Sequence, residues 1–135
     1  MCSSDLMEKL EMLSRLVPEL KRRGFRLLPG GDYGFPFHPM GKNALDIELF
    51  VNLYGFTPAE ALRAATQLGG EIMAMENELG LVKAGYLADL LLIDGDPTKN
   101  VKLLQDKDKI LMVMKDGKYH KRPSFAQQHS LIAAE

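Results

Sequence analysis

Residues 25–34 read FRLLPGGDYG, a short apolar run followed by a glycine-rich turn that carries one aspartate. The run 25–28 follows a helical segment and ends at a proline, which predicts a short β-strand. Glycine allows the sharp turn that comes next, and Asp32 lies within that turn. Catalytic and metal-binding side chains of α/β barrels lie at the carboxyl ends of the strands. Asp32 is therefore the first candidate for such a residue.

Helices are predicted on both sides of this turn. Apolar residues recur every three or four positions over residues 7–23, which predicts an amphipathic helix that ends at Gly24. Pro18 lacks a backbone N–H, and we expect it to kink or split this helix. After the turn, a second helix is predicted to have Asn43 as its N-cap and to end near Tyr54.

A third helix carries a complete N-terminal signal. Thr57 is a preferred N-cap residue, Pro58 takes the first helical position, and Glu60 completes a capping box with Thr57. These residues predict a helix over 58–68, broken afterwards by Gly69-Gly70.

Strands are predicted in the last third of the chain. Residues 88–93 are almost continuously apolar and too few for an independent helix, which predicts a buried strand. Residues 110–115 and 118–121 flank Asp116-Gly117, a dipeptide that favours a type I′ turn because both central residues must take positive φ. The sequence therefore predicts a β-hairpin here.

The composition excludes some classes of protein. The 135 residues are 46% apolar and 26% charged, which is typical of one globular domain. The net charge of -1 provides no strongly basic surface for nucleic acid or an anionic membrane, so neither partner is expected. The single cysteine, Cys2, excludes an internal disulfide and a cluster of zinc-binding thiolates.

Residues 1–6 and 123–135 are interpreted separately from the rest of the chain. Residues 1–6 form no secretory signal and resemble the translation of a common sequencing adapter. We expect them to be a non-native leader and the natural N-terminus to be missing, which leaves localisation open, with the cytoplasm favoured. Residues 123–135 are expected to form a flexible tail.

Five motifs in a fixed order resemble the C-terminal part of the amidohydrolase superfamily, in particular the imidazolonepropionase-like and prolidase-like hydrolases. The matching segments span roughly residues 7–122 and are 28–34, 55–66, 79–80 with 85–90, 94–97 and 115–118. Each segment is weakly specific by itself, and their order along the chain carries the resemblance.

The resemblance implies an α/β fold that is incomplete in this chain. It corresponds to the C-terminal piece of a (β/α)8 barrel together with part of a small β-sandwich domain. Residues 7–80 would contain the last barrel strand and the C-terminal helices. Residues 81–122 would supply strands of a composite sandwich built by both ends of the full-length protein.

The resemblance also gives Asp32 the role of the aspartate that this family places at the end of the eighth strand. That carboxylate is both a metal ligand and a catalytic residue: it contacts a divalent metal, here expected to be zinc, and the metal-bound water. It accepts a proton from the water and passes it to the leaving amine. The implied reaction is hydrolysis of a C–N bond in a small-molecule amide, cyclic amide or dipeptide. A homo-oligomer is compatible with this assignment.

The family's other metal ligands all precede the segment present here. The chain contains only His38, His120 and His129, and no two of them have the spacing of metal ligands. We therefore predict that this fragment is inactive by itself. His38 follows Asp32 in the same loop and is a candidate substrate-binding residue, with an exposed loop histidine as the alternative.

Two other functions remain open from the sequence. The chain could be a stand-alone, non-catalytic α+β interaction module that binds a protein through its hairpin edge, or a catalytically dead amidohydrolase homologue. The amount of exposed apolar surface separates the module from a barrel fragment, because a fragment leaves helix faces uncovered. Without the resemblance, Asp32 would be interpreted as an ordinary turn residue.

Overall fold

The computed structural model of the protein describes residues 3–36 and 38–124. The helical part comprises α1 (Ser3–Arg22), α2 (Leu45–Tyr54), α3 (Pro58–Ala65) and α4 (Gln67–Ile72). It is followed by β1 (Leu90–Ile93), a 3₁₀ helix (Val101–Gln105), β2 (Ile110–Lys115) and β3 (Lys118–Lys121). The expected tail falls largely outside the described residues.

The first helix is confirmed, with a different start and no interruption. It begins before the predicted residue 7 and continues through Pro18, so the expected split is wrong. The proline removes one backbone hydrogen bond, and the rest of the helix remains intact. Two backbone hydrogen bonds end the helix as predicted, from Gly24 N–H to Lys21 O and from Phe25 N–H to Leu20 O.

The core of the helical part forms where α2 meets α3. Phe50, Phe56 and Ala61 are buried together, and the rings of Phe50 and Phe56 lie 4.8 Å apart between centroids. Val17 of α1 and Leu27 pack against this cluster. Burial of these apolar side chains is the main force that holds the three helices together.

Two predicted N-caps have different outcomes. The capping box is confirmed: Glu60 N–H donates to Thr57 Oγ1 at 3.3 Å, and Thr57 N–H donates to Glu60 Oε2 at 2.8 Å. Asn43 is not an N-cap, because α2 begins one residue later and Ala44 takes the cap position. The backbone carbonyl of Asn43 instead accepts from Asp46 N–H in the preceding turn.

The glycine pair was predicted to break a helix, and this prediction is wrong. Helix α3 ends at Ala65, with Thr66 as its C-cap, and both glycines lie inside α4. A Cβ atom on Gly70 would stand 2.7 Å from Leu79 O, and one on Gly80 would stand 2.4 Å from Thr66 O. The glycines therefore allow two backbone segments to pack directly against each other.

The three strands form one antiparallel sheet in the order β1-β2-β3. The predicted hairpin is confirmed, with Asp116 at φ 48° and Gly117 at φ 70°, as a type I′ turn requires. Asp89 stabilises the turn, since its Oδ1 accepts from Asp116 N–H at 2.7 Å. Strand β1 begins two residues later than predicted and is not fully buried: Leu91 is 57% exposed.

Residues 25–28 do not form the predicted strand. They form no regular secondary structure and pair with none of the strands in the described part of the chain. A β-strand is defined by hydrogen bonds to a neighbour, so an apolar run without such a neighbour stays irregular. Leu27 packs on the helical core, whereas Phe25 is 61% exposed.

Glu48 connects the helical part to the sheet part. It lies on α2, and its carboxylate accepts from Gln105 Nε2 at 2.6 Å and pairs with Lys102 Nζ at 3.0 Å. These hydrogen bonds, Gln105 first, lower the pKa of Glu48. The sequence analysis did not predict the 3₁₀ helix that carries both partners.

No helix among residues 3–36 and 38–124 combines the length and the apolar character that crossing a membrane requires.

The close packing at Gly80 gives a first prediction. Gly80 and Gly85 have φ of +90° and +88°, but a Cβ would clash only at Gly80. Gly85→Ala should lower the free energy of unfolding by about 1 kcal/mol, the effect of positive φ alone. Gly80→Ala should lower it by about 3 kcal/mol, because backbone atoms must also move apart. Urea unfolding of both variants measures the difference, and equal losses would contradict the close packing.

The ion pair between α1 and α3 gives a second prediction. Lys21 Nζ lies 2.7 Å from Glu60 Oε2, and this hydrogen bond, followed by those from Thr57, lowers the pKa of Glu60 from 4.5 to about 2. The stabilisation is complete above pH 4.5 and is lost as the pH falls toward 2.

Lys21→Met should therefore be less stable than the parent chain at neutral pH, by about 1 kcal/mol or less because both groups are partly exposed. This difference in the free energy of unfolding should shrink as the pH falls from 4.5 toward 2. The control Arg15→Met removes the exposed pair with Glu11 and should show no such pH dependence. Chemical unfolding across this pH range checks both variants, and a constant difference for Lys21→Met would refute the assignment.

Candidate functional site

The glycine-rich turn is held by a carboxylate that the sequence analysis did not single out. Asp46 lies in the first turn of α2, and its Oδ2 accepts from Gly31 N–H at 2.6 Å. Its Oδ1 accepts from the Tyr33 hydroxyl at 2.7 Å. Both oxygens of this carboxylate are therefore engaged in fixing the backbone and side chain of the turn.

Gly31 is packed too closely for any other residue. A Cβ at this position would stand 2.6 Å from Tyr33 Cε2 and 2.9 Å from Asp46 Oδ2. The second glycine of the turn thus has a steric purpose, which is to let the backbone N–H approach the carboxylate. The preceding Gly30 has open space around it.

Tyr33 is a hydrogen-bond donor that resists ionisation. Burial, followed by the hydrogen bond to Asp46 and the negative charge of that carboxylate, raises the pKa of Tyr33 from 10.0 to about 12. The hydroxyl is therefore neutral at physiological pH and can donate a hydrogen bond to Asp46.

Asp32, the principal candidate, lies between these two held residues and is exposed to solvent. Its carboxylate makes no hydrogen bond or ion pair with any residue in 3–36 or 38–124. Two carboxylates with different roles therefore lie at this turn. Both oxygens of Asp46 accept hydrogen bonds from the turn, whereas the carboxylate of Asp32 is available to a ligand or a cation.

His38 is exposed and lies in the same loop. Its backbone is held by two hydrogen bonds, from Gly34 N–H to His38 O and from His38 N–H to Phe35 O. Its ring lies 5.7 Å from the ring of Tyr33 between centroids. The imidazole makes no hydrogen bond within the described ranges. The fold therefore places His38 next to Tyr33 but does not hold either ring nitrogen in a hydrogen bond.

A groove of about 340 Å³ lies beside the turn. Gly31, Tyr33 and Asp46 line one wall, and Ile47 and Leu91 contribute apolar surface. Neither Asp32 nor His38 lines it. The groove therefore borders the turn on the side that Asp46 holds.

The described residues do not form a metal centre by themselves. Residues 3–36 and 38–124 contain no group of three His, Cys, Asp or Glu side chains arranged to hold an ion. Asp32 could supply one carboxylate oxygen to a divalent cation. A tetrahedral zinc site needs at least three protein ligands, so the others would have to come from elsewhere.

Comparison with known proteins gives consistent matches. Residues 11–119 match the sequence profile of the amidohydrolase family. Ochratoxinase from Aspergillus niger is 33% identical over 86 residues, which are 63% of this chain and 18% of the relative. Imidazolonepropionase from Rubrobacter xylanophilus is 33% identical over 85 residues, which are 60% of this chain and 20% of the relative.

Solved structures agree with the sequence matches. The A. niger ochratoxinase structure superposes with a TM-score of 0.73 at 25% identity, over 90% of this chain and 27% of that one. A Xaa-Pro dipeptidase with methionine bound in its active site gives 0.71 at 26% identity, over 81% and 25%. The chain thus shares the α/β fold of one part of these enzymes, and it spans about a fifth of the length of its curated relatives.

The Tyr33–Asp46 hydrogen bond gives a third prediction. Asp46→Asn removes the negative charge beside the hydroxyl, so the pKa of Tyr33 should fall from about 12 toward 10. The pKa of Tyr33 is higher in the folded state than in the unfolded state. Its contribution to the free energy of unfolding is therefore complete below pH 10 and is lost as the pH rises toward 12. The variant should lose less stability than the parent chain over that window.

Ultraviolet absorbance of phenolate measures this titration. Tyr33→Phe identifies the Tyr33 component among the four tyrosines of the chain. Asp89→Asn removes a carboxylate that also stabilises a turn, the hairpin turn at Asp116, and should leave the titration of Tyr33 unchanged. An unaltered high-pH component in Asp46→Asn would show that the hydrogen bond does not form.

Proposed function

The chain belongs to the amidohydrolase family, and on that premise we propose that it is the C-terminal part of a metal-dependent hydrolase of C–N bonds. The observation that carries this proposal is the free carboxylate of Asp32 on a turn held by a second carboxylate. A side chain with only a turn-forming purpose would be expected to bond to nearby backbone, as Asp96 does with Thr98 N–H at 2.9 Å.

Asp32 has the properties that this role requires. It is exposed, it carries no described partner that would neutralise it, and its backbone neighbours are fixed. We assign its carboxylate oxygens two duties: one ligand position on a divalent cation, with zinc expected, and acceptance of a proton from the attacking water. The cation, when bound, supplies hydroxide near neutral pH.

The remaining ligands would come from polypeptide outside this chain. The described residues offer no group of three ligands, and the relatives extend well beyond the matched segment. The fragment is therefore proposed to be inactive alone. His38 remains a candidate contact for substrate, on the exposed side of the loop.

The surface supports a barrel fragment over a stand-alone interaction module. Only six apolar residues are buried among those described, whereas Phe25, Ile72 and Val82 are each more than half exposed. Helix α1 likewise exposes a run of apolar side chains, namely Met7, Leu10, Met12, Leu13 and Leu16. The apolar run 25–28, which lacks a strand neighbour among the described residues, fits the last strand of a barrel whose other strands lie outside this chain. Uncovered surface of this extent is typical of a part removed from a larger fold.

The substrate class follows from the range of the relatives. Their names describe enzymes that act on an imidazolone, on ochratoxin and on Xaa-Pro dipeptides. We propose a small-molecule amide, cyclic amide or dipeptide as substrate. Loops from several strands build specificity in such barrels, and this chain carries one of them.

Removal of the Asp32 carboxylate gives a fourth prediction. In a full-length enzyme that carries this segment, Asp32→Asn should lower kcat by about 100-fold or more, since proton transfer and metal binding both require the charge. Asp89→Asn, which affects the remote hairpin turn, should leave kcat unchanged. Steady-state hydrolysis of dipeptide and cyclic amide substrates measures both.

The 135-residue chain alone should give no hydrolysis above background. Activity of the purified chain that disappears on Asp32→Asn would contradict the proposed inactivity of the fragment. Full activity of the Asp32→Asn enzyme would contradict the assignment of Asp32.

A further inference from the structure

The two residues that flank Asp32 are both bound to the same side chain. Gly31 donates its backbone N–H to one oxygen of Asp46, and Tyr33 donates its hydroxyl to the other, at 2.6 Å and 2.7 Å. Asp46 thus binds the residues on both sides of Asp32, Gly31 through its backbone and Tyr33 through its side chain.

We propose that Asp46 is a positioning residue, which fixes the direction of the Asp32 carboxylate through these two hydrogen bonds. The inference rests on the proposed function, because a fixed direction matters only if Asp32 takes part in the reaction. Asp46 itself does not touch the reacting atoms in this assignment.

The anchor is suited to this task because it is rigid. Asp46 lies in the first turn of α2, and the same helix contributes Phe50 to the buried core and Glu48 to the contact with the sheet part. Side chains held on helices are placed more accurately than side chains held on loops. The hydrogen bonds to Asp46 therefore hold the turn in a fixed position relative to α2.

The space beside Gly31 is occupied by both of its partners. A Cβ at this position would stand 2.6 Å from Tyr33 Cε2 and 2.9 Å from Asp46 Oδ2, and a displacement of the turn away from Asp46 would break the 2.6 Å hydrogen bond. Tyr33 is half-buried, whereas Asp32 is exposed. Asp32 does not line the groove to which Asp46 and Tyr33 contribute.

Conservative replacements cannot reproduce this arrangement. Asparagine offers one acceptor oxygen for two donors and carries no charge, so it cannot accept both charge-assisted hydrogen bonds. Glutamate keeps the charge, but its additional methylene moves the carboxylate relative to Gly31 and Tyr33. Phenylalanine at position 33 removes one of the two hydrogen bonds and retains the ring.

The first test measures order in the 135-residue chain by NMR. Asp46→Asn should increase hydrogen exchange at the Gly31 amide about tenfold, since its charged acceptor is replaced by a weaker, neutral one, and lower the ¹⁵N heteronuclear NOE of Asp32. Asp89→Asn provides the matched control, because Asp89 also accepts from one backbone N–H, that of Asp116, at 2.7 Å. It should loosen Asp116 and leave Gly31 and Asp32 unchanged.

The second test measures catalysis in a full-length enzyme that carries this segment. Asp46→Asn should lower kcat by about 10-fold to 100-fold with KM nearly unchanged, since a misplaced catalytic group slows the chemical step and leaves binding intact. Tyr33→Phe should give a smaller loss. In the Tyr33→Phe background, Asp46→Asn should have a reduced effect, as expected for groups that share one interaction.

The outcomes separate this inference from the proposed function. If Asp32→Asn abolishes activity while Asp46→Asn changes neither kcat nor Gly31 exchange, the positioning role is overturned and the proposed function stands. If Asp32→Asn retains activity, the proposed site fails and the positioning role fails with it. If Asp46→Asn does not fold, Tyr33→Phe decides: normal kcat and normal order at Asp32 would overturn the inference.

Discussion

The attachment of the glycine-rich turn to α2 through Asp46 determines the geometry of the candidate site. Residues 25–28 have no strand neighbour in the described part of the chain, so a sheet does not hold the turn that follows them. The carboxylate of Asp46 supplies the missing constraint with two short, charge-assisted hydrogen bonds. Because Asp46 lies on a packed helix, the order of the turn depends on the helical core.

That core is connected to the rest of the molecule by other charged contacts. Lys21 joins α1 to α3 through Glu60 and lies over the ring of Phe56 at 4.5 Å. Glu48 joins α2 to the 3₁₀ helix through Gln105 and Lys102. Six buried apolar residues make a small core for the part of the chain that the structure describes, so such contacts help to hold the elements in register. A larger barrel around the same helices would bury the apolar surface that is now exposed.

The sequence predicted those parts of the fold that local chemistry determines. The capping box at Thr57 and the Asp116-Gly117 hairpin were predicted correctly because their hydrogen bonds and φ values involve residues at most three positions apart. The strand at 25–28 was predicted wrongly because pairing needs a distant neighbour. The glycine pair was misinterpreted because the close packing of Gly70 against Leu79 involves chain segments that only the fold brings together.

The same distinction explains what the sequence revealed of the site. Asp32 could be found from its turn and from the resemblance of the surrounding motif to a known family. Asp46 carries no such signal: an acidic residue in a first helical turn is ordinary, and its partner Gly31 lies 15 positions away. An exposed carboxylate by itself samples many directions, and catalysis requires a restricted set. Two hydrogen bonds to the neighbours of Asp32 remove backbone freedom and leave the carboxylate itself unpaired, so the site gains order without losing the group that would carry its chemistry.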